Sequence, residues 1–385
     1  MHSEEPGKRR RADFLPFSRP SIGEEEIAEV AECLRSGWIT TGPRTERFEK
    51  EFAAYVGARH AVALTSGTAA LHCAYLALDL RPGDEVICPS LTWPATSNMA
   101  LAAGASVVFA DIDRRTLQVD PESVAARVTP RTRAIVPVHF AGAPADLDAL
   151  REIAGGRIAV VEDAAHAVGT EYRGKRVGSS GNVACFSFHP IKNMTTGEGG
   201  MLTTDDDETA RRARLIKFHG VSRDAWKAYA AGSPRYDTVL AGFKYNLTDI
   251  ASALGIHQLR KLDAFNARRA ELAGRYRRGL EGAPGVELPA APAYPHRHAW
   301  HLFTVLVPRR DEFMARMKEA NVGTGLHFEA VHRSSLYRGS SGPLPATEEV
   351  CDRIVSLPLF PGMSHGDIDD AVDAVRRIAG DLVRR

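Results

Sequence analysis

The chain has 385 residues, of which 44% are hydrophobic and 25% charged, and this length predicts two lobes with separate cores. The 49 basic residues nearly balance the 48 acidic ones, so charge favours neither a nucleic-acid partner nor a membrane surface. Five cysteines without a CxxC pair indicate a reduced, cytoplasmic protein. The basic start MHSEEPGKRRRADF precedes no apolar segment, and no uncharged stretch reaches the ~20 residues of a membrane span, so we expect neither an export signal nor an anchor.

Short apolar runs alternate with longer helical periods between about residues 22 and 260. This alternation predicts an α/β fold in which strands of a parallel sheet each lead into a covering helix. Amphipathic stretches such as 68–80 and 144–153 supply the helices. The predicted strands lie at 61–64, 85–88, 106–109, 134–138, 158–161 and 184–188.

The rest of the sequence predicts a smaller α+β unit, which a long helix joins to the first. Residues 254–282 have apolar positions at helical spacing, and their run of Arg and Lys is typical of a solvated face. A Pro-rich linker, LPAAPAYPHRH, then precedes a strand in HLFTVLV, a helix in DEFMARMKEA and a closing helix around GDIDDAVDAVRRIAG. We predict a disordered basic tail over 1–13, a large cofactor-binding domain over 14–258 and a small C-terminal domain over 259–385.

Small polar residues, Ser66, Gly67 and Thr68, follow the first predicted strand and open a helix. The free N–H groups and the dipole of a helix N-terminus favour an anion, so this turn is a candidate phosphate site, although such residues also serve as ordinary helix caps. The turn matches neither GxGxxG nor a Gly-Lys-Ser/Thr motif. The sequence therefore lacks the main motif evidence for a nicotinamide or a nucleoside triphosphate ligand.

Two further residues stand just after predicted strands. Trp93, in PSLTWP, either fills the core or lays its ring flat on a planar cofactor. Asp163 ends the run VVED at the edge where open α/β sheets bind ligands. It either caps a helix or pairs with the protonated ring nitrogen of pyridoxal phosphate.

Lys192 follows the last predicted strand, within SFHPIKNMTTGEGG. A lone lysine at a strand end is usually a surface residue. Here Ser187 and Asn193 place polar groups beside it, and the glycines allow the backbone to approach a ligand closely. A partly desolvated lysine in such a place acts as a Schiff-base nucleophile, which is the second interpretation of Lys192.

The second part of the chain is rich in histidine, which raises the possibility of a metal site. The spacing in HRHAWH lacks the i, i+4 pair of HExxH, and no acidic residue stands near. We therefore predict no metal and assign these residues to the linker and the strand of the small unit. The histidines concerned are His296, His298, His301, His327 and His332.

Long segments in a fixed order resemble the DegT/DnrJ/EryC1/StrS sugar aminotransferases, from about residue 14 to residue 382. They include SGWITTGP, GDEVICPSLTW, VEDAAHAVGT, SFHPIKN, YNLTDI, GTGLHF and SLPLFPGM. The resemblance implies the fold-type-I architecture of pyridoxal-phosphate enzymes, with a mixed, mostly parallel sheet, helices on both faces and a smaller α+β C-terminal domain. It also implies pyridoxal 5'-phosphate as cofactor and a homodimer with shared active sites.

The resemblance further implies a role for each matching residue. Lys192 is expected to bind the cofactor covalently, Asp163 to contact the pyridine nitrogen and Trp93 to stack on the ring. The other implied contacts are Ser66, Gly67, Thr68 and Ser187 with the phosphate, His166 beside the ring, Asn246 reaching the phosphate from the neighbouring subunit, and Thr40, Thr41, His327 and Phe328 lining a nucleotide-sugar pocket.

The implied reaction moves the amino group of L-glutamate to the C4 ketone of a nucleotide-linked sugar, with a UDP-4-keto-pentose as the first expectation. The segment NMTTGEGG after Lys192 instead resembles relatives that aminate UDP-4-keto-6-deoxy-hexosamines. Dehydratases of the same family carry histidine where Lys192 stands. A cofactor-binding regulator without turnover is the alternative from another class, and the pathway, whether lipid A, surface polysaccharide or natural product, stays open.

Overall fold

Twelve strands and eleven α-helices make up the part of the chain that this computed structural model describes, residues 11–222, 236–339 and 341–384. The strands are β1 (His60–Leu64), β2 (Glu85–Pro89), β3 (Ser106–Ala110), β4 (Thr132–Ile135), β5 (Ala159–Asp163), β6 (Glu171–Tyr172), β7 (Lys175–Arg176), β8 (Val183–Ser187), β9 (Gly200–Thr204), β10 (His296–Arg297), β11 (Phe303–Leu306) and β12 (Ile354–Leu357). The helices are α1 (Glu24–Arg35), α2 (Pro43–Val56), α3 (Gly67–Ala77), α4 (Ala95–Ala102), α5 (Pro121–Ala125), α6 (Leu147–Ala154), α7 (Asp207–Ile216), α8 (Asp249–Leu280), α9 (Arg310–Glu319), α10 (Pro345–Cys351) and α11 (His365–Arg384).

Seven of the strands form one mixed sheet, in the spatial order β1-β9-β8-β5-β4-β2-β3. The strands from β3 to β8 in this order are parallel, whereas β9 is antiparallel to both of its neighbours. The expected mixed, mostly parallel sheet is therefore confirmed, and all six predicted strands belong to it. Strand β9 was not predicted, because GMLTT is short and opens on a glycine rather than in a Val/Ile run.

The sheet is covered on both faces, as the alternation of side chains along β1 makes plain. Val62 and Leu64 pack in a core with apolar residues of α3, whereas Ala61 and Ala63 pack with Phe48 of α2 and with part of α8. Successive side chains of a strand point to opposite faces, so the two cores lie on opposite sides of the sheet. Because both faces are buried, these strands are apolar throughout rather than alternating.

Helix α8 connects the sheet to a second core. It begins at Asp249, earlier than predicted, because the Thr248 hydroxyl accepts the Ala251 N–H at 3.3 Å and so caps it. Ile256 packs against the sheet, whereas Tyr276 packs in the core that contains β11 and β12. The predicted boundary between residues 258 and 259 falls inside this one helix, and the division into domains stays a prediction.

The second core is built on the antiparallel pair β11 and β12, against which α9 and α11 pack. Arg11, which the predicted tail includes, donates to Asp367 and Asp370 at 2.6 Å each, and residues 1–10 lie outside the described part. None of the helices in the described ranges is long and apolar enough to cross a bilayer.

The topology brings several strand ends to one place. Since β1, β2, β4, β5 and β8 share one direction, their carboxyl ends meet along a single edge of the sheet. Ligands of open α/β sheets bind at this edge, in the loops that follow the strands. The segments that contain Ser66, Trp93, Asp163 and Lys192 are those loops and strand ends.

Candidate active site

A cavity of about 350 Å³ opens at the carboxyl edge of the sheet. Its walls come from the turn before α3, the loop after β2, the ends of β5 and β8, and the segment that precedes α10. Ten of the residues singled out from the sequence line it: Ser66, Gly67, Thr68, Trp93, Asp163, His166, Ser187, Lys192, His327 and Phe328.

Lys192 is half-buried in the wall of this cavity, so it is not the surface lysine of the first interpretation. Burial disfavours the ammonium form and lowers the pKa of Lys192 to about 8, although the negative charge of Asp163 opposes the shift. The next residue fixes the loop, because the Asn193 amide donates to the Asn266 side chain and to the Ala299 carbonyl, each at 2.7 Å. A substantial fraction of the amine is therefore neutral near physiological pH.

Asp163 ends β5 and is only 5% exposed. Its Oδ2 accepts from the Thr96 hydroxyl at 2.7 Å, and its Oδ1 accepts from the Ala165 N–H at 3.1 Å. No helix begins here in the described chain, so the helix-cap interpretation is wrong, and the bond to Ala165 is that of a local turn. Burial raises the pKa of Asp163, while the bond from Thr96 and the nearby charge of Lys192 lower it.

The N-terminus of α3 closes one end of the cavity. The Ser66 hydroxyl accepts the Ala69 N–H at 3.0 Å, and the Ser66 carbonyl oxygen accepts the Ala70 N–H at 3.1 Å. The N–H groups of Gly67 and Thr68 have no acceptor within the helix, because they lie in its first turn. Ser187 lies so close that a Cβ at Gly67 would stand 2.9 Å from the Ser187 Cβ. The turn is therefore a helix cap whose free N–H groups suit an anion.

Aromatic rings form the remaining walls. Trp93 is 64% exposed, so it does not fill the core, and its ring lies 6.1 Å from that of Phe328. His166 is stacked on Phe328 at 5.7 Å. The Ala141 N–H donates to Nδ1 of His166 at 3.3 Å, which leaves the proton of the imidazole on Nε2. Burial and the charge of Lys192 lower the pKa of His166, so this ring is neutral.

Three of the implied site residues do not line this cavity. Thr40 is exposed, and the Asn246 amide donates to the Thr41 hydroxyl at 2.5 Å. The side-chain amide oxygen of Asn246 is buried and has no hydrogen-bond partner among the described residues. Thr40, Thr41 and Asn246 therefore do not line the cavity of their own chain, although Asn246 pairs with Leu64, two residues before Ser66.

The sequence did not single out several residues of the site. Thr96 touches Asp163 from 67 positions away in the chain, and no motif connects them. His301, which the sequence assigns to the linker and strand of the small unit, packs its ring 4.3 Å from that of His166, and neither of its nitrogens has a partner among the described residues. No group of three His, Cys, Asp or Glu side chains suited to a metal ion occurs in the ranges that the structure covers.

The lining of the cavity suits pyridoxal phosphate. The amine of Lys192 can bond an aldehyde, and the carboxyl group of Asp163 can pair with a ring nitrogen. The close packing at Gly67 leaves backbone N–H groups open to a phosphate. One space of suitable size is thus lined by a base, an acid, a turn with free N–H groups and a flat aromatic wall.

The chain is similar to sugar aminotransferases over nearly its whole length. The model of the DegT/DnrJ/EryC1/StrS aminotransferase family matches residues 20–376. DesV of S. venezuelae, solved in complex with a ketimine intermediate, is 40% identical over 92% of this chain and 94% of its own, with a TM-score of 0.86. Spr1654 of Streptococcus pneumoniae, named as a sugar aminotransferase, is solved in a PMP-form and in a PLP-form. The PMP-form is 31% identical over 96% of this chain and 100% of its own, with a TM-score of 0.91. PseC of Helicobacter pylori, an aminotransferase involved in the biosynthesis of pseudoaminic acid, is 26% identical over 96% of this chain and 100% of its own, with a TM-score of 0.88.

Proposed function

Because this chain belongs to the DegT/DnrJ/EryC1/StrS family of pyridoxal-phosphate-dependent sugar aminotransferases, we propose that it transfers the amino group of L-glutamate to the C4 ketone of a nucleotide-linked sugar. A UDP-4-keto-pentose is the first candidate for that sugar. The observation that carries the proposal is the placement of Lys192 and Asp163 on one cavity, where the charge of each shifts the pKa of the other.

The cofactor, when bound, supplies an electron sink for the carbanion that forms at the amino-bearing carbon. Lys192 Nζ, which is largely neutral above about pH 8, takes the proton from the α-carbon of the donor amino acid. The same atom returns a proton when the amino group passes to the sugar. Positioned acid–base groups of this kind contribute about 10²- to 10⁴-fold.

Asp163 keeps a proton on the pyridine nitrogen in this proposal. Its carboxyl group is buried, so its charge acts in a medium of low dielectric constant, where an ion pair with the ring nitrogen is strong. The N–H groups of Gly67 and Thr68 and the Ser187 hydroxyl would hold the phosphate, and Trp93 would pack on the ring.

The nature of the sugar is proposed from sequence segments. The segments quoted above resemble those of the UDP-4-amino-4-deoxy-L-arabinose–oxoglutarate aminotransferase, which supports a UDP-4-keto-pentose. The segment NMTTGEGG supports a UDP-4-keto-6-deoxy-hexosamine instead. His327 and Phe328 are the residues of the cavity wall that we assign to the sugar.

The proposed assembly is a homodimer whose active sites are shared between subunits. Asn246 supports it, since its side-chain amide oxygen lacks a partner in the described structure and since Asn246 does not line the cavity of its own chain. In a shared site, Asn246 and the neighbouring Thr41 extend toward the phosphate and the nucleotide in the partner subunit. Thr40, which is exposed, belongs to the same surface.

One experiment tests the reaction and the sugar together. Purified protein is supplied with pyridoxal phosphate, L-glutamate and a panel of UDP- and dTDP-linked 4-keto sugars, and 2-oxoglutarate and aminated products are measured by mass spectrometry. We expect glutamate to bleach the cofactor absorbance and one sugar class to be aminated. A protein that binds the cofactor but releases no 2-oxoglutarate with any sugar would instead be the non-catalytic regulator.

A further inference from the structure

Thr96 joins two parts of the candidate site through one completely buried side chain. Its hydroxyl lies 2.7 Å from Oδ2 of Asp163 and 2.7 Å from the hydroxyl of Thr92. Its backbone N–H donates to the carbonyl oxygen of Trp93 at 3.2 Å. The residue therefore contacts both the acid at the end of β5 and the loop that presents the exposed indole.

The direction of these hydrogen bonds follows from counting protons. A hydroxyl has one proton to donate, and an ionised carboxylate can only accept, so the Thr96 proton goes to Asp163 at 2.7 Å rather than to the Trp93 carbonyl oxygen, which lies 3.2 Å from the same hydroxyl. The Thr92 hydroxyl then donates to the Thr96 oxygen. Chains of this kind strengthen each bond in them, and a bond to a charged acceptor is stronger than one between neutral groups.

The rest of Thr96 is held just as firmly. Its carbonyl oxygen accepts from the Tyr75 hydroxyl at 2.9 Å, inside the core that packs on α3. Its N–H, carbonyl and hydroxyl groups are thus all bonded within the described chain. Residues that orient an active-site group need this kind of support, since a loosely held donor would not fix its partner.

We propose that Thr96 is a positioning residue that keeps Asp163 ionised and aimed into the cavity, and that sets the loop of Trp93 at the same time. Thr92 acts behind it as the second donor. The proposal rests on the function proposed above only for what Asp163 does, since the hydrogen bond itself is a property of this chain without any ligand.

Other groups also face Asp163 and contribute to its charge state. They come from three elements and two loops around the end of β5, and the experiment below holds them constant. They are Tyr75, Cys88, His139, Cys185 and Lys192.

The test measures the carboxyl pKa of Asp163 in the cofactor-free protein, by carbon-detected NMR of protein labelled with ¹³C aspartate, with Asp163→Asn identifying the signal. Thr96→Val keeps the shape of the side chain but removes the donor, so we expect the pKa to rise. Thr96→Ser restores the donor and should return the pKa to the wild-type value. An unchanged pKa in Thr96→Val would overturn the inference, whatever the protein catalyses.

A second readout follows the loaded enzyme in single-turnover reactions with glutamate. We expect Thr96→Val to lower the single-turnover rate constant at saturating glutamate by on the order of ten- to hundredfold, as for the loss of one hydrogen bond to a charged group. Ser97→Ala is the matched control, because Ser97 is buried in the same helix turn but donates to Pro94.

If Thr96→Val fails to fold, Thr92→Val tests the chain of hydrogen bonds from its other end and should raise the Asp163 pKa by a smaller amount. A fall in rate that Thr96→Ser does not rescue would contradict the proposal.

Discussion

Glu162 and Asp163 are consecutive residues of β5, yet their carboxyl groups lie on opposite sides of the sheet. Asp163 faces the cavity, whereas Glu162 is completely buried and accepts from Nε2 of His139 at 2.9 Å. The side chains of Ser180 and Asn182 also donate to Glu162. Because side chains alternate along a strand, β5 can place Asp163 in the cavity while Glu162 fixes the strand in the interior.

The buried pair of His139 and Glu162 is expected to stabilise the site measurably. Burial opposes ionisation of Glu162, but the bonds from His139, Ser180 and Asn182 outweigh it and hold its pKa below the usual 4.5. Nδ1 of His139 accepts the Ala145 N–H at 3.0 Å, so its Nε2–H makes a hydrogen bond to the charged Glu162 rather than an ion pair. Loss of such a bond costs about 1.5–3 kcal/mol, so His139→Leu should lower the free energy of unfolding by that amount in urea titrations. His60→Leu is the control, since the partner of His60, Asp207, is exposed and such pairs contribute about 0–1 kcal/mol.

The same pair predicts a pH dependence of stability. Because the folded-state pKa of Glu162 is lowered, its contribution is fully present above pH 4.5 and is lost as the pH falls through the folded-state value. The combination of His139→Leu with Glu162→Gln removes the buried charge and should recover part of the stability at pH 7. A double variant as unstable as the sum of its two single variants would show that the two side chains do not interact.

Lys192→Ala is expected to abolish covalent attachment of the cofactor. Reduction of the loaded wild type with borohydride should leave the cofactor mass on the peptide that contains Lys192, and the variant should give no such peptide. Turnover should fall by at least 10²- to 10⁴-fold, because the same atom moves the proton. Lys175→Ala, at an exposed position of β7, should behave like the wild type. A labelled peptide elsewhere in the chain would contradict the assignment.

Cofactor uptake by the apoprotein should depend on pH through Lys192. Only the neutral amine attacks an aldehyde, so the rate should rise with pH and level off above about 8, well below the usual 10.5 of lysine. The negative charge of Asp163 raises the pKa of Lys192, so Asp163→Asn should move the midpoint to lower pH. Stopped-flow absorbance measures both, and the reaction of pyridoxal phosphate with butylamine controls for the titration of the cofactor itself. A midpoint near 10.5 would show that Lys192 is not desolvated.

Position relative to the strands made Lys192 and Asp163 predictable, whereas their surroundings were not. Both follow apolar runs that the structure confirms as β8 and β5, and parallel strands bring such ends together. The sequence supports two interpretations of Trp93 because it does not show which side of a loop faces solvent. Thr96 was missed because a threonine inside a helix has no distinguishing pattern, and only the fold brings its hydroxyl to Asp163.

The outline of the fold was predictable for a related reason. Strands buried on both faces are continuous apolar runs, which stand out between helical periods. Strand β9 breaks that rule with Gly200 and two threonines, since its neighbours on both sides rather than its own composition hold it in the sheet. Element ends also moved by a few residues, as at Thr248, where a side-chain cap set the start of α8.

Gly67→Ala is expected to loosen the phosphate end of the site. The new Cβ would stand 2.9 Å from the Cβ of Ser187 and 3.3 Å from the carbonyl oxygen of Phe186, so α3 must move away from β8. We expect cofactor affinity to fall by about tenfold, equivalent to about 1.4 kcal/mol, in fluorescence titrations. Gly380→Ala in α11 is the control, because no atom outside its own helix lies within 4 Å of the added carbon. Equal cofactor affinities of the two variants would show that the turn at Gly67 does not bind the phosphate.

Mixing two inactive variants tests whether the active sites are shared. In a mixed dimer of Lys192→Ala and Asn246→Ala subunits, a shared arrangement gives one site that has both natural residues, because lysine comes from one chain and asparagine from the other. We therefore expect the mixture, after reversible dissociation and reassociation, to be more active than either variant alone. A mixture of Lys192→Ala with the double variant Lys192→Ala/Asn246→Ala cannot form a complete site and serves as control. Activity no higher than the mean of the two separate variants would indicate that each chain builds its site alone, with Asn246 bound only to its own Thr41.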